Sequence, residues 1–493
     1  MAASTNASDS LLSLDPVPNF VDDKPVQTQG KFSLKDPHTG VHLYDVAATK
    51  VPDAIAAVEA AARALPSWRA TSPVERRNIF LRAAEIIRKR KNELAAIEAR
   101  ETTSTPVWAA FDTGLALDAL EELAGVATTA LRSEIAPSSP GQHGYITRVP
   151  FGVVFAMAPW NAPWVLGTRA AANPIMAGNT CVLKTNEYSP KVHLTIAQIF
   201  HEAGLPAGVL NVIHVDPKDA AEVTEAVIAH PAVRKVNFTG STRVGRIVAS
   251  VCGQNLKPCC LELGGSAPLI VLEDADLDLV SSSVILGGFL HSGQICMSTN
   301  TVIVHQSLAE ELGQRLKAHF DQPHVKAAPD SPHLRGLFNE ASARRLHDWV
   351  STALQEGANI VAGSLRVEGN VLQPLVLNNV TKNMQIYGEE LFGPVVIMMT
   401  FNSDAEALEL ANGTVYGLSA AVYGRDQARA YNVASQVDAG MVHVNGSTVH
   451  DRHQLPHGGT KNSGWGRFNG LEGVREFTQI KVLTVNEPKH HPA

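Results

Sequence analysis

GVVFAMAP (152–159), TCVLK (180–184), LNVIHV (210–215) and KVNFTG (235–240) are four short apolar runs rich in Val, Ile and Phe. Each is followed by a segment with helical spacing: near Val165 to Met176, near Lys191 to Ala203, near Ala220 to Ala229, and from Ser241 onward. Continuous apolar strands of this kind are buried on both faces, and a strand-then-helix unit every 25 to 30 residues predicts a parallel, doubly wound sheet. Ligands of such sheets bind beyond the carboxyl ends of the strands, so the residues just after each run are where chemistry is expected.

Working outward, the alternation resumes after Gly264 with SAPLIVL (266–272), a helix around Leu277 to Phe289, TVIVH (301–305) and a helix from Leu308 to Phe320, predicting a second α/β domain from near residue 265. Upstream, stretches around Phe20 and from Phe32 to Tyr44 read as short antiparallel strands, and residues 1–18 as a loose tail. Helices follow from Asp53, from the capping box Ser72-Pro-Val-Glu75 to about Ala99, and over about Ala116 to Arg132. PSSPGQHG (137–144) is linker-like, ITRVPFG after it reads as a strand leaving a projecting hairpin, and EFTQIKVLTV (476–485) alternates like an edge strand suited to pairing with another subunit.

The 493 residues suffice for two to four domains of roughly 100 to 200 residues each. With 45% hydrophobic and 18% charged residues the chain is globular, and 41 basic against 48 acidic side chains give a net charge of −7, which disfavours nucleic acid and anionic lipid as partners. No apolar run reaches the roughly 18 residues of a membrane helix. The opening segment lacks the basic start of a secretory or mitochondrial leader, and five cysteines without a CxxC pair fit a reducing compartment, so the cytoplasm is expected. His450, His453 and His457 cluster in sequence, but with only Asp451 nearby and no helical i, i+4 pair they do not read as a metal site.

Several positions have functional readings beside plainer ones. Cys296 lies in HSGQICMSTN (291–300), where a turn can expose a thiol, although a lone cysteine is more often buried packing. Glu262 in CLELGGS (260–266) stands between apolar residues and a Gly pair, which predicts desolvation, a raised pKa and use as a general base; a salt-bridged Glu is the alternative. Asn161 in APWNAPW (158–164) follows a sheet strand and can donate to an oxyanion or cap a helix. FTGSTRVG (238–245), with Gly240, Ser241 and Gly245, can cradle a pyrophosphate at a helix N-terminus, and Lys184 and Glu187 in LKTNE (183–187) can meet ribose hydroxyls or form a solvated pair.

Together, PWNAPW, LKTNE, FTGSTRVG, LELGGSAP, GQICMS, EELFGPV and GGTKNSGWGRF occur in an order that resembles the NAD(P)-dependent aldehyde dehydrogenase superfamily over about residues 20 to 485. The resemblance implies an NAD-binding domain (19–132 and 151–263) with a Rossmann-like doubly wound sheet, an α/β catalytic domain (264–477), and small β bridging elements (133–150 and 478–493) that make homodimers or homotetramers. It implies Cys296 as nucleophile, Glu262 as hydrolytic base and Asn161 as oxyanion donor. For the cofactor it implies Trp160, Lys184, Glu187, Gly240, Ser241 and Gly245, with Glu390 and Phe392 at the nicotinamide end.

A carboxylate at Glu187 repels a 2′-phosphate, which favours NAD while leaving NADP open through Lys184. The presence of Glu262 sets the chain with acid-forming members. One departure stands out: many members carry a Glu four residues after the final Gly-Arg, whereas here Leu471 occupies that place and Glu472 follows, which puts a proton-relay role for that acid in doubt. NGSTVHD (445–451), LGTRAAANP and GRFNG look most like the branch oxidising salicylaldehyde and vanillin, with Trp164, Arg169 and His450 expected at the substrate pocket and Arg169 either facing a ring hydroxyl or carboxylate or held in a structural ion pair. The alternatives are a dehydrogenase for an aliphatic or pathway-specific aldehyde, a thiol-dependent esterase, and a structural protein that binds NAD without turning over.

Overall fold

The computed structural model describes residues 13–136 and 141–486. Five parallel strands form the centre of the first sheet: Leu210–Ile213, Thr180–Lys184, Val153–Met157, Val233–Thr239 and Cys259–Glu262, in that spatial order. Numbered along the chain this is 3-2-1-4-5, and the order reverses beside Val153–Met157, so a crevice opens at the carboxyl ends of Met157, Lys184, Thr239 and Glu262. The antiparallel pair Asn19–Val21 and Lys24–Val26 extends one edge, and Gly464–Trp465 closes the other against Leu261 and Glu262. A late segment of the chain thus completes the first sheet.

A second sheet of seven strands has Ala267–Val271 and Thr299–His305 at its centre, flanked by Val395–Phe401, Leu375–Asn378 and Asn359–Gly363 on one side and Ser419–Tyr423 and Met441–Val444 on the other. All its pairings are parallel except the outermost, between Asn359–Gly363 and Leu375–Asn378. A third, antiparallel sheet joins Thr478–Asn486 to Gln142–Pro150 and Glu134–Ala136. The first of these strands exposes Ile480 and Val482, each 62% accessible. Among the described residues no helix is long and apolar enough to cross a membrane.

The strand–helix alternation and both sheets follow the sequence reading, and helix Leu277–Phe289 keeps its expected bounds. Two local expectations change. The helix expected from about Ala116 begins ten residues earlier as Pro106–Ala130, because Thr105 accepts from Trp108 N as N-cap and Pro106 fits the first helical position. Of the tail expected at 1–18, residues 1–12 lie outside the described residues. Val17, however, is buried and exchanges backbone hydrogen bonds with Asp45 and Ala47. Residues 137–140 of the linker-like segment and 487–493 of the expected bridging element also lie outside the described residues.

Candidate active site

Four strand ends of the first sheet deliver side chains to a cavity of about 940 Å³. Trp160 and Asn161 follow Val153–Met157, Lys184 and Glu187 follow or end Thr180–Lys184, Gly240 and Ser241 follow Val233–Thr239, and Glu262 ends its own strand. The second sheet's side contributes Cys296, Glu390 and Phe392. Ten of the expected residues therefore line one cavity.

The Gly264-Gly265 pair explains how the two halves close. A Cβ on Gly264 would sit 2.4 Å from Glu390 Oε2, and one on Gly265 would sit 2.2 Å from the Cys296 carbonyl oxygen. Gly265 N donates to Glu390 Oε1 at 3.0 Å. Phe392 holds φ +48°, a left-handed conformation that is uncommon for a bulky residue, and its ring meets Trp160 edge-on at 6.2 Å. The loop before the thiol is similarly constrained, with His291 and Ser292 at φ +51° and +55°. Strain of this kind is retained where the surroundings fix a functional geometry.

Cys296 Sγ donates to Glu262 Oε1 at 3.0 Å. Burial and the adjoining Glu262 carboxylate hold the thiol well above the usual cysteine range. Glu262 behaves opposite to the sequence expectation. Burial pushes its pKa up, but the Arg169 guanidinium and His457 outweigh burial and hold it at about 2. Asn161 does not cap the following helix; it is buried, and its Nδ2 donates to Gln294 O at 3.0 Å, in the turn that carries Cys296.

Ser241 caps helix Thr242–Gln254, whose first turn opens into the cavity; Gly245 lies one turn in and does not line it. Its role is close packing, since a Cβ there would sit 2.3 Å from Leu263 Cδ2. Lys184 is lowered by burial, with Glu187 opposing that shift. The helix N-terminus and the lysine–glutamate pair fit the phosphates and ribose of a dinucleotide. The strained Phe392 and the half-buried Glu390 fit its other end.

The three expected pocket residues lie elsewhere. Trp164 is fully buried in the core of the first sheet, its Nε1 donating to Leu94 O at 3.2 Å. Arg169 does not face the cavity: it pairs with Glu262, reaches Asp451 Oδ2 at 3.5 Å, and lies 4.3 Å over the Phe468 ring. His450 lines a separate cavity of about 200 Å³ with His443 and Asp451. What surrounds the thiol instead is an apolar cluster of Trp108, Ala162, Val165, Leu166, Ile295 and Met297. Trp108 also donates from Nε1 to Asn161 O at 3.0 Å and stacks on His291 at 4.8 Å. Sequence patterning offered no signal for Trp108, which lies in a helix far from every motif. Among the described residues no group of three or more His, Cys, Asp or Glu side chains is arranged to hold a metal ion.

Residues 25–483 match the model of the aldehyde dehydrogenase family. The chain belongs to that family. It is 43% identical over 481 residues to vanillin dehydrogenase of Pseudomonas sp. (strain HR199 / DSM 7063), covering 97% of this chain and 99% of that one. It is 40% identical over 442 residues to salicylaldehyde dehydrogenase of Pseudomonas putida, covering 88% and 90%. Among solved structures, a salicylaldehyde dehydrogenase from Pseudomonas putida G7 complexed with salicylaldehyde superposes with a TM-score of 0.92 at 36% identity, covering 97% of this chain and 99% of that one. This aldehyde dehydrogenase is accordingly an oxidoreductase acting on the aldehyde group, built on the mixed α/β architecture that the sequence predicted.

Proposed function

We propose that this aldehyde dehydrogenase oxidises an aromatic aldehyde to its carboxylic acid with NAD, using Cys296 as nucleophile, Glu262 as base and Asn161 as oxyanion donor. The observation that carries the reading is the Cys296 thiol itself. It donates to the Glu262 carboxylate, packs against an apolar cluster that includes Leu166, and lines one cavity together with Leu166, Trp160 and the dinucleotide-type contacts. Leu166 and the Trp160 indole line that cavity and suit a planar ring, and vanillin and salicylaldehyde dehydrogenases are among the relatives.

Each residue's task follows from its place. Glu262 takes the thiol proton, and the thiolate adds to the aldehyde carbon. The Asn161 amide, braced by Gln294, and backbone N–H groups of the Cys296 turn hold the oxygen that becomes negative. A bound nicotinamide supplies the hydride acceptor needed for the thioester to form. Glu262 then takes a proton from water, which attacks the thioester and releases the acid. Glu187 stands where it repels a 2′-phosphate, so NAD is the preferred cofactor and NADP the weaker one.

In this reading the first sheet and its helices form the cofactor domain and the second sheet the catalytic domain. The exposed apolar strand Thr478–Asn486 pairs with another copy to build a homodimer or homotetramer. Five free cysteines suit a reducing compartment, the cytoplasm.

The test is formation of reduced cofactor, followed by absorbance with NAD and NADP in parallel. The panel is benzaldehyde, its hydroxylated derivatives and straight-chain aldehydes, with Cys296→Ser as control. Aryl preference with NAD and a dead control is the expected result. Full turnover by Cys296→Ser removes the mechanism, and activity confined to aliphatic aldehydes removes the aryl assignment. Ester cleavage without cofactor and without aldehyde oxidation replaces the reading by a thiol esterase.

A further inference from the structure

Against Glu262 lies a buried ionic cluster that the catalytic steps leave unused; a role for it rests on Cys296 as nucleophile and Glu262 as base. Arg169 stands between two carboxylates, pairing with Glu262 Oε2 and lying 3.5 Å from Asp451 Oδ2. His457 stands between the same two, its Nε2 3.8 Å from Glu262 Oε1 and its Nδ1 3.6 Å from Asp451 Oδ1. Arg169, Glu262 and His457 are each at most 2% accessible. Asn469 Nδ2 fixes Asp451 by donating to Oδ1 at 2.6 Å. The other titratable groups facing this cluster are Cys296 and Glu390 on the side of Glu262, Cys260 beside Arg169, and His453, His443 and His450 near Asp451.

Two carboxylates against one guanidinium leave one negative charge in excess, which is costly in a buried site. One further proton cancels it. Glu262 is a poor place to keep that proton, since the guanidinium beside it favours the carboxylate, whereas the His457 imidazole lies between two carboxylates that favour a cation there. His457 Nδ1 is buried and makes no hydrogen bond, so an N–H there has a receiver in Asp451 once the ring closes the 3.6 Å gap. The acid that other family members place after the final Gly-Arg does not serve here: Leu471 takes its position, and Glu472 is exposed and bound to Arg475 at 2.9 Å.

We propose that the His457–Asp451 pair stores the proton that Glu262 collects, so that Glu262 transmits protons and His457 is their acceptor. In activation the S–H bond of Cys296 breaks as O–H forms at Glu262 Oε1. That O–H then breaks as N–H forms at His457 Nε2, leaving a thiolate and an imidazolium facing Asp451. In hydrolysis an O–H of water breaks to Glu262 as its oxygen bonds the thioester carbon, the C–S bond breaks with its electron pair staying on sulfur, and the proton takes the same route. Between these steps His457 gives one proton by way of Asp451 to solvent water in the cavity of about 200 Å³ that Asp451, His443 and His450 line, and returns to the tautomer with N–H at Nδ1, so that Nε2 is again free to accept. No electrons enter or leave in either step. His457 and Asp451 are positioning residues, acting through Glu262.

The experiment compares wild type, His457→Gln, Asp451→Asn and Cys296→Ser by two readouts, with thermal melts confirming that each variant is folded. The first is the pH profile of Cys296 alkylation by iodoacetamide in the full-length enzyme without cofactor, read by mass spectrometry of the Cys296 peptide. The second is the pre-steady-state burst of reduced cofactor. His457→Gln is expected to move the alkylation profile to higher pH, slow alkylation about tenfold at neutral pH, and show a burst followed by a steady state at least tenfold slower. Asp451→Asn moves both in the same direction by less, and decides the question if His457→Gln does not fold. Profiles and steady-state rates that superpose on wild type overturn the proposal while Cys296→Ser stays inactive. Turnover by Cys296→Ser marks instead the failure of the underlying reading.

Discussion

Arg169 and Glu262 form a buried ion pair directly behind Cys296: one carboxylate oxygen takes the guanidinium and the other accepts from the Cys296 thiol. The guanidinium is thereby engaged with Glu262 and Asp451 and is not available to a substrate. Arg169→Met is therefore expected to lower kcat/KM for hydroxylated and unsubstituted benzaldehydes by the same factor. A loss confined to hydroxylated aldehydes, measured across the two series, would place the guanidinium in the substrate pocket and contradict the pairing.

The same pair predicts an acid-sensitive stability. Glu262 is held at about 2 against an ordinary 4.5, so its contribution is fully present above pH 4.5 and is lost as pH falls from there toward 2. The shift corresponds to something on the order of 3 kcal/mol. Glu262→Gln lacks this titration, so denaturant unfolding should show the wild-type advantage over Glu262→Gln shrinking between pH 5 and pH 3. A constant difference across that range would mean that the carboxylate is not stabilised by its neighbours.

The place of Cys296 beside the strand ends was legible in the sequence and the surroundings of Glu262 were not, and the difference is one of range. Asn161, Lys184 and Ser241 each sit where a strand ends, and the alternation of strands and helices is local enough to place strand ends from pattern alone. Cys296 likewise falls in the turn before a strand that the pattern shows. The surroundings of Glu262 are not local. Its pKa is set by Arg169, 93 residues away in sequence, and by His457, which arrives with the segment that adds Gly464–Trp465 to the sheet edge. Burial alone predicts a raised carboxylate, and only the fold brings up the cation that reverses the sign. Trp164 illustrates the same limit, because one turn of helix decides whether an indole faces a pocket or the core, and local spacing does not say which.

Asp112 holds the start of the helix that carries Arg169. It accepts from Trp164 N at 2.8 Å and Val165 N at 3.0 Å, and burial raises its pKa to about 7 despite those two bonds. Removing an acceptor from two buried N–H groups costs about 1–3 kcal/mol for each. Asp112→Ala should lower the melting temperature and kcat together, because Asn161 lies two residues before the helix. An unchanged kcat in folded Asp112→Ala would show that the helix start does not set the position of Asn161.

Glu187 and Lys184 both line the cavity, and in the proposed cofactor site the carboxylate would repel a 2′-phosphate on the adenosine ribose. Glu187→Gln removes the repulsion while keeping a hydrogen-bonding group, so the ratio of kcat/KM with NADP to that with NAD should rise about tenfold, equivalent to roughly 1.4 kcal/mol. The ratio is the measurement that decides, since a general loss of cofactor affinity would leave it flat.

The strand Thr478–Asn486 pairs along its whole length with Gln142–Pro150 on one side only, and presents Ile480, Val482 and Val485 to solvent. A long apolar edge of this kind is an association surface unless charges or bends protect it, and here Lys481 is the single charged residue in the strand. Ile480→Lys combined with Val482→Lys places two more charges on the face that those two side chains share. Light scattering coupled to gel filtration should then show the assembly falling to smaller particles, with the thiol still alkylated at Cys296 because the strand lies outside that cavity. A wild-type enzyme that runs as a monomer, or an assembly of unchanged mass in the double variant, would overturn the proposal that this strand pairs subunits.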